Sequence, residues 1–305
     1  MGHKRKMLAA LLTIAFVALL VIAWYSATAV HPDFRDVAYA DASTKQKLDL
    51  YLSEAALKPQ PLVILIHGGG FRAGDKARPR FLRRFLADGF AVASINYRLS
   101  REAHWPAQLE DVTEAIRFLY TNAESFSVDR ESFVVFGQSA GGHLAATATL
   151  DLAANQENLL RATVVWFGPV EFSTMDQDME DSGQGSSDTN GPHSPESRLI
   201  GASVGENPDL ARQASPLHYV EQLPEGVTLP PILIMHGARD PLIAARQSQR
   251  LHDAIAASPA NRGVTLEILL DGTHGGGEFR EPSTINAVIE FASDHLTFSS
   301  PDRSD

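Results

Sequence analysis

Residues 133–144 read F-V-V-F-G-Q-S-A-G-G-H-L, and the fold predicted for the chain follows from this segment. An apolar β run comes first, then the pattern G-x-S-x-G, and then a helix rich in alanine and threonine. At the sharp turn between strand and helix, Ser139 is predicted to adopt a positive φ, and a neighbouring β-carbon would collide with the turn. Glycines at 137, 141 and 142 remove those β-carbons. The pattern therefore predicts a turn that raises the Ser139 hydroxyl above the end of the strand.

The composition is that of an ordinary globular protein. Of the 305 residues, 44% are hydrophobic and 21% are charged, which is enough apolar material for a sizeable core. The formal net charge is −11, and beyond the first six residues the basic residues cluster only between Arg72 and Arg84. This balance argues against nucleic acid as a partner. The chain has no cysteine, and the acidic stretch 176–181 lacks the spacing of a calcium loop, so no metal site is expected.

The first 29 residues predict an export signal. Lys4-Arg5-Lys6 precede an apolar run over residues 8–24, and Ala27-Thr28-Ala29 has the small-x-small pattern of a cleavage site. Two alternatives stay open: a signal peptide cleaved after Ala29, or an uncleaved signal anchor. In both cases the positive charges place residues 30–305 outside the cytoplasm, in a periplasmic or extracellular space. Membrane contact is then expected only through the N-terminal segment.

Strands alternate with helices along the remainder of the chain. The predicted strands are residues 47–52, 62–66, 90–95, 133–136, 162–167, 231–235 and 264–270. The first alternates polar and apolar residues, as an antiparallel edge strand does, whereas runs such as 62–66 are apolar throughout and buried on both faces. The pattern predicts a mostly parallel α/β sheet with helices on both faces, forming one catalytic domain over residues 30–305. Residues 171–215 break the pattern and predict a short, polar, partly flexible insertion over the active-site face.

Chemistry in a parallel sheet gathers at the carboxyl ends of the strands. Ser139, Asp240 and His274 each follow such an end, in the chain order nucleophile, acid, base. His274 would take the proton from the Ser139 hydroxyl, and Asp240 would orient His274 and stabilise its charged form. This chemistry needs no cofactor.

Backbone N–H groups are expected to bind the negative charge that develops on the substrate. One comes from Ala140, the residue after the nucleophile. The others come from Gly69 and Gly70, glycines whose lack of side chains lets the backbone approach the substrate. Other residues compete for the base and acid roles. The competing bases are His236, His252 and His295, and the competing acid is Asp271.

Six motifs occur together in this chain. They are H-G-G-G-F-x-x-G-D-K (67–76), N-Y-R-L (96–99), P-A-Q-L-E-D-V (106–112), G-Q-S-A-G-G-H (137–143), S-P-L-H-Y-V (215–220) and H-G-A-R-D-P (236–241). Together they resemble the bacterial esterase/lipase branch of the α/β-hydrolases. The chain is most similar to the group with acetyl and feruloyl xylan esterases and is related to the hormone-sensitive-lipase type. The resemblance runs from about Leu48 to Leu296 and implies the α/β-hydrolase fold and serine hydrolase activity.

The sequence thus predicts a serine carboxylesterase that forms an acyl-enzyme on Ser139. Short- to medium-chain esters are expected, small or linked to polysaccharide, because the insertion 171–215 is too polar to shelter a long acyl chain. One alternative is a serine peptidase of the prolyl-oligopeptidase type, whose large propeller domain has no counterpart in this sequence. Another is a catalytically silent binding protein, although such proteins usually lose a triad member. The patterns leave the oligomeric state open.

Overall fold

The computed structural model describes residues 30–77 and 79–296. The described residues from Asp33 onward belong to one unit, in which a single sheet forms the centre. The predicted signal peptide or anchor lies outside the described residues. Among the helices that the model does describe, none is both long and apolar enough to cross a membrane.

Eight strands form the sheet. They are β1 (Phe34–Ala38), β2 (Lys47–Tyr51), β3 (Gln60–Ile66), β4 (Ala91–Ile95), β5 (Val128–Gln138), β6 (Ala162–Trp166), β7 (Ile232–Gly237) and β8 (Val264–Leu269). Their spatial order is β1-β2-β4-β3-β5-β6-β7-β8. β2 pairs antiparallel with β1 and β4, and the pairs from β4 through β8 are all parallel. The mostly parallel sheet predicted from the sequence is confirmed.

Helices fill the connections between the strands. They are α1 (Leu82–Ala87), α2 (Ala107–Thr121), α3 (Ala140–Ala154), α4 (Met175–Ser182), α5 (Pro195–Ile200), α6 (Pro208–Gln213), α7 (Pro216–Glu221), α8 (Ala245–Ala257) and α9 (Pro282–Asp294). Short 3₁₀ helices cover Phe172–Thr174 and Gly277–Arg280. The parallel strands are joined by crossovers, as parallel pairing requires.

Helices cover both faces of the sheet, and successive residues of β5 show this. Val135 lies in one core with Val112 of α2 and Leu144 of α3. Phe136, the next residue, points the other way and packs against Phe85 of α1, with ring centroids 6.2 Å apart. Because successive strand residues face opposite sides, a strand buried on both faces is apolar throughout. This explains the unbroken apolar run that precedes Ser139.

The structure differs from the sequence prediction at four places. β2 is antiparallel, as predicted, but it is not an edge strand, because β1 pairs along its outer side and leaves most of β2 buried. β1 was not predicted, because this edge strand is only half-buried and carries Arg35 and Asp36. β5 begins at Val128 and not at Phe133, since its first residues are polar and partly exposed. Residues 171–215 contain short helices where the sequence predicted an irregular, partly flexible insertion. Each of those helices buries only a few apolar residues, too few to show helical periodicity in the sequence.

Candidate active site

Ser139 lies at the junction between β5 and α3. Its backbone angles are φ 56° and ψ −123°, so the predicted positive φ is confirmed. This conformation costs a non-glycine residue roughly 1–3 kcal/mol and persists only where its surroundings hold it. The Ser139 N–H donates to the Trp166 carbonyl at 2.9 Å, which ties the turn to β6. A β-carbon on Gly137 would lie 1.9 Å from the Gly141 carbonyl oxygen, so this turn requires glycine there.

The structure brings the three predicted residues together. Nε2 of His274 lies 2.9 Å from Oγ of Ser139, and Nδ1 of His274 lies 2.7 Å from Oδ2 of Asp240. The carboxylate accepts the Nδ1–H, which leaves the Nε2 lone pair directed at the serine hydroxyl. The Phe167 ring, with its centroid 4.6 Å from that of His274, packs beside the imidazole. The contacts match those of a nucleophile, a base and a group that orients the base.

Asp240 is completely enclosed by its own loop. Its other oxygen, Oδ1, accepts the backbone N–H groups of Leu242 at 2.8 Å and Ile243 at 3.0 Å. Burial alone would raise the pKa of Asp240, but the nearby His236 imidazole and the hydrogen bond from His274 outweigh it and hold this pKa below its usual range. Asp240 is therefore negatively charged in the folded protein. A fixed negative charge at this position stabilises a protonated His274.

Three backbone N–H groups are available near Ser139. Gly69 and Gly70 lie in the loop after β3 with φ 119° and φ 58°, values that glycine adopts readily. Ala140 is the first residue of α3, where the helix dipole adds positive potential. Within the described ranges, none of the three N–H groups donates a hydrogen bond to the protein. They are the groups that the sequence predicts for an oxyanion hole.

The competing candidates lie elsewhere. Asp271 is 68% exposed in its side chain and pairs with Arg239, with Oδ1 and Nη2 2.9 Å apart. His252 lies on α8 beside Asp253, and His295 bonds the Phe291 carbonyl at the end of α9. None of these three groups reaches Ser139. Position at a strand end does not separate these candidates, since His236 lies at the end of β7 and Asp271 follows β8. The contacts of His274 with Ser139 and Asp240 distinguish the predicted residues from the others.

Two other histidines serve the loops around the site. His67 stacks on Tyr97, with ring centroids 4.4 Å apart, and its Nδ1 bonds the Gly68 carbonyl. His143 is fully buried beneath the nucleophile, and its Nε2–H donates to the Ala214 carbonyl at 2.7 Å. Burial lowers the pKa of His143 to about 4, so it carries no charge at neutral pH. Both histidines therefore serve structural roles.

A cleft of about 860 Å³ opens above Ser139 and His274. This volume is that of a typical small-molecule site. One wall is formed by residues 186–189 and 193–196 of the segment between β6 and β7. This wall is rich in hydroxyl, imidazole and carboxyl groups, whereas Phe167, Met175, Leu242 and Ile243 line other parts of the cleft with apolar side chains. Within the described part of the chain, no cluster of three histidine, aspartate or glutamate side chains is arranged to hold a metal ion.

Three residues that the sequence analysis did not assign to the site also line the cleft. Arg72 and Arg80 come from the loop between β3 and α1, and Glu196 comes from α5. The arginines were noted only as members of a basic cluster. No local pattern marks any of them, because their position depends on how two irregular segments fold over the sheet.

The sheet order, the strained serine and its partners define an α/β-hydrolase. A family model with the description BD-FAE matches residues 48–255, and the chain belongs to this family, within the bacterial esterase branch of the α/β-hydrolases. Esterase LipC of Mycobacterium tuberculosis is 29% identical over 79% of this chain and 62% of its own length. Esterase LipQ of the same organism is 27% identical over 86% of this chain and 61% of its own length. The chain thus spans about three fifths of these curated relatives.

Solved structures give the same fold. A truncated carbohydrate esterase from gut microbiota superposes with a TM-score of 0.73 at 28% identity, covering 87% of this chain and 96% of that one. Esterase B from Lactobacillus rhamnosis, with a bound inhibitor, superposes with a TM-score of 0.64 at 21% identity, covering 95% and 96%. At this identity, the similarity to Esterase B supports the fold of the chain but not its activity.

Proposed function

We propose that this chain is a serine carboxylesterase that acts through Ser139, His274 and Asp240. The observation that carries the proposal is the pair of contacts made by His274, 2.9 Å to the Ser139 hydroxyl and 2.7 Å to the Asp240 carboxylate. Esterases among the sequence relatives and structural neighbours support it. The reaction divides ester hydrolysis into acylation and deacylation.

In acylation, Nε2 of His274 accepts the proton of the Ser139 hydroxyl while Oγ attacks the ester carbonyl carbon. The N–H groups of Ala140, Gly69 and Gly70 bind the oxyanion that forms, and each such donor is worth about 2.7–4 kcal/mol. His274 then protonates the departing alcohol, leaving an acyl group on Ser139. In deacylation, His274 removes a proton from water, which attacks the acyl carbonyl. The acid is released and Ser139 regains its proton.

The substrate we propose is a short- to medium-chain ester of a polar alcohol, such as an ester linked to a polysaccharide. The polar cleft wall around Asp188 and Thr189 supports a polar alcohol, and so does the carbohydrate esterase among the neighbours. We also propose that the protein works outside the cytoplasm, cleaved after Ala29 or anchored by residues 8–24. The support for this location is the sequence pattern of the first 29 residues.

A fluorophosphonate, which reacts only with an activated serine, tests the proposal. Intact-protein mass is measured after treating the full-length protein and its Ser139→Ala variant. We expect one adduct on the first and none on the second, with loss of acetyl ester hydrolysis in the variant. Circular dichroism controls for folding. A folded wild-type protein without an adduct would contradict the proposal and favour a binding role.

A further inference from the structure

Arg80 is held in place at the edge of the active-site cleft. Its Nη1 donates to Oε1 of Gln138 at 2.9 Å, and its guanidinium lies over the Phe81 ring, 4.8 Å from the centroid. Gln138 is the residue directly before the nucleophile. A guanidinium fixed by a hydrogen bond and an aromatic face loses little further freedom when it binds a ligand.

The same guanidinium lies beside the general base. A β-carbon built on Gly275 would be 3.1 Å from Nη1 of Arg80, and Gly275 directly follows His274. Arg80 therefore hydrogen-bonds the residue before Ser139 and lies near the residue after His274. A group bound by Arg80 would be part of the same molecule whose ester lies at Ser139.

Arg80 has no carboxylate partner among the described residues. Arg98 and Arg250 pair with Asp111 and Asp178 at 2.7 Å, but no carboxylate of the described chain lies within 4.0 Å of Arg80. Arg80 is exposed at the cleft edge, and partial desolvation together with the positive charge of Arg280 lowers its pKa. The Nε–H and Nη2 groups make no hydrogen bond within the described residues, and they form the fork that binds a carboxylate with two parallel bonds.

We propose that Arg80 binds a carboxylate carried by the ester substrate and makes anionic esters the preferred substrates of this site. The proposal rests on the esterase activity proposed above. The carboxylate has two possible sources, a dicarboxylic acyl group or an acidic alcohol such as a uronic acid. Arg72, which lines the cleft near Gly70 and Pro195, adds a second positive charge to the same cleft.

Two matched pairs of esters test the proposal and identify the source. The first pair is the 4-nitrophenyl monoester of adipic acid and 4-nitrophenyl hexanoate, which differ by a charge on the acyl side. The second pair is 4-acetoxybenzoate and its methyl ester, which differ by a charge on the alcohol side. We would measure kcat/KM for the full-length protein and its Arg80→Met, Arg80→Lys and Arg130→Met variants. Arg130 is the control, since it also lies over an aromatic ring, that of Tyr120, but far from the cleft lining.

We expect Arg80→Met to lower kcat/KM about tenfold or more for the anionic member of at least one pair, since hydrogen bonds to charged groups are strong. Neutral esters should change less than about twofold, Arg80→Lys should retain part of the preference, and high salt should weaken it. The affected pair identifies the source of the carboxylate. Equal losses on both members of each pair, or no loss on any, would overturn the proposal.

A wild-type protein that cleaves none of the four esters would instead contradict the proposed esterase activity. The role of Arg80 is then decided by calorimetry with adipate and 4-hydroxybenzoate as ligands. Weaker binding to Arg80→Met than to Arg130→Met would support the carboxylate site, and equal binding, or none to any of the proteins, would overturn it.

Discussion

Nε2 of His236 lies 3.4 Å from Oδ2 of Asp240, the same carboxylate oxygen that lies 2.7 Å from Nδ1 of His274. His236 is fully buried on β7, its Nδ1 accepts from the Ser248 hydroxyl at 2.6 Å, and its Nε2–H donates to the Ile243 carbonyl at 2.9 Å. The imidazole thus links the strand to the loop that carries Asp240. His236 is a positioning residue, which acts on the reaction only through Asp240.

Replacing His236 by phenylalanine keeps a ring but removes these hydrogen bonds. We expect kcat to fall about 10- to 100-fold, because small displacements of a catalytic group are costly, while KM for a neutral ester changes little. The free energy of unfolding should fall by about 1–3 kcal/mol, since the Ile243 carbonyl loses its partner. Steady-state kinetics and urea unfolding measure both quantities. A merely structural role would lower stability and leave kcat of the folded enzyme unchanged.

The buried carboxyl of Glu196 should make the free energy of unfolding depend on pH. It is 6% exposed on α5, and burial raises its pKa to about 7, with the charge of Asp176 adding to the shift and Arg72 opposing it. The folded state therefore binds this proton more tightly than the unfolded state, in which the pKa is near 4.5. The stabilisation is complete below about pH 4.5 and is lost as the pH rises through about 7.

Glu196→Gln cannot ionise, so it should not show this loss. We expect the variant to exceed the wild type by up to about 3 kcal/mol in free energy of unfolding at pH 8, and to match it near pH 4.5. Glu206→Gln, at an exposed position after α5, is the control and should differ from the wild type at neither pH. A difference between Glu196→Gln and the wild type that stays constant from pH 4.5 to 8 would contradict the argument.

Asp111 and Arg98 form a buried ion pair away from the cleft lining. The side chain of Asp111 is inaccessible to solvent, and it accepts hydrogen bonds from Arg98 at 2.7 Å and from Gln46 at 2.7 Å. Asp111→Ala would remove the buried partner of Arg98 and leave it only the exposed Glu110, at 3.2 Å, so the loss should approach the roughly 3–5 kcal/mol of a broken buried ion pair. We expect that loss in urea unfolding, with kcat/KM of the folded enzyme retained.

The matched control for Asp111→Ala is Glu221→Ala. Glu221 pairs with Arg212, and both side chains are 57% exposed, so its removal should cost less than about 1 kcal/mol. If Asp111→Ala raised KM while leaving stability intact, the pair would belong to substrate binding and the structural assignment would be wrong.

The sequence predicts best which residues follow the carboxyl ends of the strands. Ser139, Asp240 and His274 each follow an apolar strand, and parallel strands bring their carboxyl ends to one edge, so their meeting could be predicted from periodicity and order. The positive φ of Ser139 followed from the glycines around it. These inferences need only local pattern and the geometry of a parallel sheet.

The residues that shape the cleft could not be predicted in this way. Arg80 lies in a loop and Glu196 on a six-residue helix, where no repeat of apolar residues fixes which side chain faces inward. Their positions follow from contacts between segments distant in the chain, such as Pro195 against Gly70. β1 could not be predicted for a related reason. An edge strand with one half-buried face shows little alternation of apolar and polar residues.

The segment between β6 and β7 builds one wall of the cleft, whereas the reacting side chains follow β5, β7 and β8. The proposed catalytic residues therefore lie outside the segment that forms this wall, although other parts of the cleft lining, such as Arg80, lie outside it too. Leu199, Ala211 and Ala214 of this segment belong to the core, and Ala214 bonds His143 beneath the nucleophile. Substitutions at its exposed cleft-lining positions, such as Asp188 and His193, would alter the cleft without removing those contacts. Substitutions at such positions would change which esters bind in the cleft while the hydrolysis reaction stays the same.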